Sequence, residues 1–466
     1  MKLHFLGASR QVTGSRYVLE VGGRQAMIDC GMFQERQFQS RNWDRSPIPP
    51  HAIDALLLTH VHIDHCGLLP RLVQAGYRGP IHTTRPSAAL VEIMLRDSAE
   101  IQQEDLGYKR KRHLKEGRTS PHAYEPLFTE QDVDRTLPLV EGCGYGQAVE
   151  VFPGLVARFF DAGHILGSAM IQLDATENGV TRRIAFSGDI GQWDKPIIRD
   201  PTLLNEADFI VMESTYGDRN HQRAGDTETQ LEKVVAATIE RGGNVVIPTF
   251  AVERAQELVY HFGRLARAGR VPHMPVFLDS PMAVDVTAIY ARFHDYVDEA
   301  MWEIINLGQA PLRFPGLTMT RTADESKRIN HVKEPSIIMA SSGMCNAGRI
   351  KHHLKNNLPR SESTILFVGH QAQGTLGRLI LDGRSSVRIH GQEFPVRAKI
   401  EQIYGFSGHA DHDGLMRWIG HFQRRPTRVF LTHGEEQVAL KLAEEIKFKL
   451  GYDVLVPEYR QVVELG

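Results

Sequence analysis

The sequence predicts an α/β protein in which one domain interrupts another. From about residue 205 to about residue 370, short apolar runs alternate with amphipathic segments, the pattern of a mostly parallel sheet covered by helices. On either side the pattern differs: short strands end in turns that carry histidine or aspartate. At 466 residues the chain is also too long for one compact core.

The chain opens with Leu3–Leu6, Tyr17–Val21 and Gln25–Asp29, strand-like runs between glycine turns. Asp29, within Met27-Ile28-Asp29-Cys30-Gly31, reads either as a turn former or as a carboxylate that orients a metal-binding histidine. Next comes Ala55-Leu56-Leu57-Leu58-Thr59, a buried strand, followed directly by His60-Val61-His62-Ile63-Asp64-His65. Imidazoles and carboxylates without a thiolate suit zinc, and also manganese or iron. His60 and His62 alternate about Val61 and share one side of an extended segment. Asp64 and His65 follow the turn and face a second position, so the spacing points to two metal ions.

Ser87–Leu106 places Leu90, Ile93, Met94 and Ile101 at helical spacing. The basic run Tyr108-Lys109-Arg110-Lys111-Arg112-His113 reads as a solvated loop or as a phosphate contact. Thr129–Val140 reads as a helix opened by a capping box from Thr129 to Asp132. Strands follow at Leu155–Asp161, Ala169–Asp174 and Arg183–Ser187. Their ends carry His164, in Asp161-Ala162-Gly163-His164, and Asp189, in Ser187-Gly188-Asp189-Ile190-Gly191. Flanking glycines let the backbone turn sharply and approach an ion.

The interrupting stretch starts at strand Asp208–Met212, which runs into Glu213-Ser214-Thr215. Strands Asn244–Pro248, Val276–Leu278, Ser336–Ala340 and Thr364–Val368 then alternate with helices Thr227–Glu240, Val252–Arg267 and Arg349–Asn356. Ala291–Thr320 matches no pattern. There is no dinucleotide fingerprint at the first turn, and Gly369–Thr375 is glycine-rich but lacks the lysine of a phosphate loop. Ser341 and Ser342 end a strand before a helix, where small hydroxyls and exposed N–H groups can hold a phosphate. The last part returns to the first pattern. His409 lies in Phe406-Ser407-Gly408-His409-Ala410-Asp411, before a helix near Leu415–Phe422. His433 ends the core strand Val429–Thr432, and Glu436–Leu450 is an amphipathic helix.

No apolar run is long enough to span a membrane. The start, Met1-Lys2-Leu3-His4-Phe5, reads as a strand and not as a secretory leader. Cys30, Cys66, Cys143 and Cys345 form no CxxC pair, which suits reduced thiols and a cytoplasmic location. A net charge of −2 gives no global nucleic-acid signal, so any nucleic-acid groove is basic only locally.

These motifs carry a resemblance. Asp29, HVHIDH, His164 and Asp189 resemble the ordered motifs of the metallo-β-lactamase fold. Glu213, FSGHAD around His409 and LTHGE around His433 resemble the three further motifs of its β-CASP branch. That branch includes the nuclease subunit of the pre-mRNA 3′-end cleavage machinery, ribonuclease J, and bacterial and archaeal relatives. The resemblance runs from Leu3 to Glu435. It implies an α/β fold: a metallo-β-lactamase αββα sandwich over 1–208 and 395–466, with a β-CASP domain inserted over 209–394.

The resemblance also implies two zinc ions per chain, with manganese as an alternative. One takes His60, His62 and His164. The other takes Asp64, His65 and His433. Asp189 bridges them, and Asp29 supports them from behind. Asp64 also orients the nucleophile, Glu213 and His409 form an acid pair, and Ser341 and Ser342 contact phosphate. The implied activity is an RNA endonuclease, with 5′-to-3′ exonuclease action as an option, leaving 5′-phosphate and 3′-hydroxyl ends. RNA is the implied partner, with a homodimer as a further option and no membrane.

His433 favours RNA over DNA, because DNA-repair members of the family usually carry valine there. A small-molecule (thio)ester hydrolase is the alternative outside nucleic acids; the insert and the Glu213/His409 pair argue against it. A non-enzymatic scaffold would have a decayed ligand set, and this one is intact.

Overall fold

The computed structural model describes residues 1–117, 124–221, 227–369 and 371–466; within these, the side chains of Tyr108, Lys109, Lys111 and Arg112 lie outside it. The chain divides into two compact units. Met1–Asn220 and His409–Gly466 form the first, and His221–Gly408 forms the second.

The first unit is built on two 7-stranded sheets. One has the strand order Val462–Glu464, Lys2–Phe5, Tyr17–Val21, Arg24–Ile28, Ala55–Leu57, Ile81–Thr84, Val140–Cys143. The other runs Val454–Leu455, Arg428–Thr432, Phe209–Glu213, Val180–Phe186, Ala169–Glu177, Leu155–Asp161, Ala148–Phe152. Their facing side chains make one apolar layer, in which Phe5, Tyr17 and Ile28 meet Phe159, Phe186 and Phe430. The Phe5 and Phe430 rings sit 5.1 Å apart. Leu155–Asp161 shows why the sequence folds this way: burial alternates residue by residue along its length, as a period of two dictates. Helices His412–Ile419 and Glu436–Leu450 cover the outer face of the second sheet through Trp418, Leu442 and Ile446. Helix Arg85–Glu116 lies along Ile81–Thr84 and Val140–Cys143 of the first. The result is an αββα sandwich.

The second unit is a 6-stranded sheet in the order Leu317–Thr320, Val276–Asp279, Ile337–Ala340, Val245–Pro248, Thr364–Phe367, Lys399–Gln402. Every pairing in it is parallel. Its central strands are buried at every position, as expected where helices cover both faces.

The division points differ from the expected 208 and 394. Phe209–Glu213 is a buried strand between Val180–Phe186 and Arg428–Thr432, which ties it to the first unit. Lys399–Gln402 pairs with Thr364–Phe367, which ties it to the second. Other details also shift. The capping box at Thr129 and Asp132 forms, but its helix stops at Thr136 and a 3₁₀ turn with Pro138 leads into a strand. The backbone of the basic run 108–113 is helical, part of Arg85–Glu116, not a loop; four of its side chains lie outside the described residues. Residues 291–320 form a 3₁₀ turn, helix Glu299–Asn306 and edge strand Leu317–Thr320. Among the described residues, no helix is long and apolar enough to cross a membrane.

Candidate active site

Ala55–Leu57 is buried and paired in parallel on both sides. Beyond it the chain passes His60 and His62 before entering the short helix Ile63–Cys66, which carries Asp64 and His65. The turn separates the two pairs of side chains. Two glycines permit the close approaches that follow. A Cβ on Gly31 would lie 1.6 Å from the Asp64 carbonyl oxygen, and one on Gly191 would lie 1.6 Å from that of Gly163. So only glycine lets the Asp29 loop close on the Asp64 turn, and the Asp189 loop close on the His164 loop.

The side chains converge on two points. Around the first, His62 Nδ1 is 3.2 Å from His60 Nε2 and 3.1 Å from His164 Nε2. Asp189 Oδ2 lies 3.4 Å from His60 Nε2 and 3.6 Å from His164 Nε2. Around the second, His433 Nε2 is 3.1 Å from His65 Nε2 and 3.4 Å from Asp64 Oδ2. Asp189 Oδ1 lies 3.2 Å from His65 Nε2 and 3.6 Å from His433 Nε2. Ligands about 2.0–2.1 Å from a tetrahedral zinc stand about 3.3 Å from one another. The four separations given around each point, 3.1–3.6 Å, are of that size, and Asp189 turns Oδ2 to the first point and Oδ1 to the second.

The ring orientations are set from outside. Thr59 Oγ1 bonds the Asp29 carboxylate, so it accepts from His60 Nδ1–H at 3.1 Å. His65 Nδ1 lies 2.8 Å from Asp29 Oδ2. Thr215 Oγ1 donates to the His433 carbonyl and accepts from His433 Nδ1–H at 3.1 Å. In each case the outside partner calls for a proton on Nδ1, and Nε2 is turned to the cluster. Asp29 and His433 both adopt left-handed backbone angles, φ 57° and 50°. Each departure is worth roughly 1–3 kcal/mol and is held by its surroundings: His433 N–H donates to Ala8 O at 2.7 Å.

The charges fit a cation. Burial lowers the pKa of His62 to about 3 and also lowers His60 and His164, keeping these rings neutral. Burial pushes His65 and His433 the same way, but the carboxylates facing them win and raise both. The second point thus favours positive charge, which a metal ion would supply. Asp189 Oδ1 is buried and, among the described residues, accepts no hydrogen bond. An acceptor left bare there, faced by the Nε2 atoms of His65 and His433, suits an ion.

Glu213 and His409 stand beside this cluster. Glu213, buried at the end of Phe209–Glu213, accepts from Ile190 N–H at 2.6 Å. His409 Nδ1 lies 3.2 Å from Glu213 Oε1 and 3.9 Å from Asp189 Oδ2. Burial would lower the His409 pKa, but the charges of Glu213 and Asp189 outweigh it and raise it to about 9. Ser341 and Ser342 belong to the second unit, just past strand Ile337–Ala340; Ser341 Oγ bonds Ser280 Oγ at 2.9 Å. His370, in the glycine-rich Gly369–Thr375, lies outside the described residues. Thr59 and Thr215 are the functional groups that the motif pattern misses. The available signal was a hydroxyl next to His60 and one just past Glu213.

Residues 10–124 match the family described as the Metallo-beta-lactamase superfamily, residues 255–380 the Beta-Casp domain, and residues 393–457 the Zn-dependent metallo-hydrolase RNA specificity domain. The chain is 37% identical to Ribonuclease TTHA0252 of Thermus thermophilus, covering 99% of this chain and 100% of that protein. It is 31% identical to Transcription termination factor FttA of Methanosarcina mazei, covering 96% of this chain and 68% of that protein. The factor of the same name from Thermococcus kodakarensis is 32% identical, covering 99% of this chain and 70% of that protein. A crystal structure of a protein of unknown function from Enterococcus faecalis V583 shares the fold, with a TM-score of 0.55 at 12% identity and 99% of each chain covered. The chain belongs to the β-CASP branch of the metallo-β-lactamase superfamily, a family of metal-dependent nucleic-acid hydrolases.

Proposed function

We propose that the protein is a zinc-dependent ribonuclease that cuts RNA internally, leaving 5′-phosphate and 3′-hydroxyl ends. The observation that carries the metal chemistry is the double convergence of imidazole and carboxylate on two points that Asp189 faces with one oxygen each. The RNA assignment draws on the Thermus relative, named a ribonuclease and matched over its whole length, and on the RNA specificity domain at residues 393–457. His433 within LTHGE points the same way.

In this reading His60, His62 and His164 would hold one ion and Asp64, His65 and His433 the other, with Asp189 facing both. Manganese suits the same donors. A metal pair supplies Lewis acidity, activating a water and stabilising charge on the transferring phosphoryl group. Asp64 would orient the attacking water. Asp29 holds His65 and, through Thr59, His60. His409 turns Nδ1–H to Glu213 and so has Nε2–H for the departing 3′ oxygen. Glu213 keeps the imidazole charged and oriented. Ser341 and Ser342 hold a substrate phosphate. Water attacking in line needs no ribose 2′-hydroxyl, so no 2′,3′-cyclic phosphate forms.

The test is incubation of the purified protein with end-labelled RNA and DNA of equal sequence, with the fragment ends mapped. Cleavage of RNA in preference to DNA, with 3′-hydroxyl ends, is expected. Equal cleavage of both would overturn the substrate assignment, and cyclic phosphate ends would overturn the mechanism.

A further inference from the structure

The second unit presents a parallel sheet whose strands all end on one edge. Registers fix a common line across four neighbouring strands. Pro248 pairs with Ala340, Val246 pairs with Ile365, and Phe367 pairs with Gln402. Continued along the strands, Ala340, Pro248, Phe367 and Gln402 stand side by side. Two residues beyond that line, in the same order, come Ser342, Phe250, Gly369 and Tyr404. In parallel α/β sheets, this C-terminal edge is where ligands bind.

Two of those positions carry aromatic rings in solvent. Phe250 is 43% exposed and Tyr404 is 42% exposed; among the described residues of this unit they are the exposed phenylalanine and tyrosine. A lone exposed ring is ordinary on a protein surface. Two at one level of one edge, in line with Ser342, are not scattered. Both rings are also held. A Cβ on Gly343 would lie 2.9 Å from two Phe250 ring carbons, so the ring lies on bare glycine backbone. The Tyr404 hydroxyl donates to Gln402 Oε1 at 2.9 Å, and Gln402 Nε2 donates to Gly369 O at 3.1 Å. Between the two rings, the Arg254 guanidinium donates to Val368 O and lies against Gly369. The edge therefore offers a hydroxyl, a ring, a cation and a ring in sequence.

We infer that Phe250 and Tyr404 form a stacking platform for two bases of single-stranded RNA along this edge, an inference that rests on the ribonuclease reading. The two strands are separated by one other, so their backbones lie about 10 Å apart. Stacked rings lie only about 4.5–7 Å apart, so each ring holds a different base. Stacking requires bases turned out of a helix, so the platform selects unpaired RNA. It tolerates every base, because each has a π face.

The test compares an unstructured RNA with the same ribose–phosphate chain lacking its bases. For the unmodified protein, KM for the abasic chain should be higher by about 5- to 150-fold per stacked base. Phe250→Ala and Tyr404→Ala should each raise KM for intact RNA by about fivefold or more, and should narrow its advantage over the abasic chain. Phe250→Trp and Tyr404→Phe should retain it. Phe250→Leu still covers Gly343 but has no π face, and should behave as Phe250→Ala. Equal KM for intact and abasic chains in the unmodified protein would overturn the platform while leaving the ribonuclease reading standing. So would a Phe250→Leu protein that matches the unmodified one. Failure of the unmodified protein to cut any RNA would overturn the ribonuclease reading and this inference with it.

Discussion

Asp279 ends a strand and Asp189 lies just past one; both are buried aspartates faced by histidine, yet the two units use them in opposite ways. Asp279 is fully satisfied. Its Oδ1 accepts from Thr320 and, at 2.6 Å, from Arg349 Nη1; its Oδ2 accepts from Ser326 Oγ and His353 Nε2, both at 2.6 Å. Asp189 has no such set: Oδ1 accepts no hydrogen bond among the described residues, and the atoms facing it are the Nε2 of His65 and His433, whose Nδ1 atoms already have partners outside. Histidine beside a buried carboxylate does not by itself mark a metal site. The discriminating feature is which ring nitrogen carries the proton. Around Asp279 protein donors complete the carboxylate and fix four elements to one another. Around Asp189 the donors are spent on the outside, on Asp29, Thr59 and Thr215, and the inside is left for a cation.

The largest effect should separate the two aspartates. Asp189→Ala removes a ligand from both points, so RNA cleavage should become undetectable and bound metal should fall below two per chain. Asp279→Asn should leave metal content unchanged. Elemental analysis beside an RNA cleavage assay reads both; an Asp279→Asn protein that loses metal would collapse the distinction.

Next in size is the acid. His409→Ala should lose about 10²–10⁴-fold in kcat while retaining both metals. On a diester with a p-nitrophenolate leaving group, which needs no proton, the loss should shrink. Glu213→Gln should lose less than His409→Ala, since the imidazole remains but is less well oriented. An equally large His409→Ala defect on the activated ester would remove His409 from the acid role.

The structural aspartate should register in stability. Asp279→Asn leaves Arg349 and His353 without their buried partner, so unfolding in urea should show a loss of about 3–5 kcal/mol. The smallest effect is its pH dependence. Burial pushes the Asp279 pKa up, but the donors of His353, Ser326, Thr320 and Arg349 outweigh it and hold it below the ordinary carboxylate range. Its contribution is therefore present above the unfolded value near 3.9 and lost as pH falls toward the lower folded value. The stability gap between the unmodified protein and Asp279→Asn should narrow below about pH 4. A gap that widens there would mean that the carboxylate is protonated in the folded state.

Much of the active site was legible because its signals are local. HVHIDH packs its side chains around one strand end, and His164, Asp189, Glu213 and His433 each follow an apolar run. Leu155–Asp161 and Asn244–Pro248 likewise read as strands, but that burial alternates along the first and is continuous along the second is visible only in the fold. The Asp279 cluster was not legible: Thr320, Ser326, Arg349 and His353 come from separate elements, and only the fold joins them. Leu317–Thr320 escaped because a four-residue edge strand with mixed burial has no period to detect. Thr59 and Thr215 escaped for another reason. A threonine beside a histidine is common, and its role depends on which acceptor its one hydroxyl proton takes.

The most direct test of the account is the zinc content of protein purified without chelator, measured beside His433→Ala. Two ions per chain in the unmodified protein are expected. His433→Ala should keep the ion held by His60, His62 and His164, lose most of the other, stay folded by circular dichroism, and cut no RNA. One ion per chain at full activity in the unmodified protein, or an undiminished count and undiminished cleavage in His433→Ala, would contradict the two-point arrangement around Asp189.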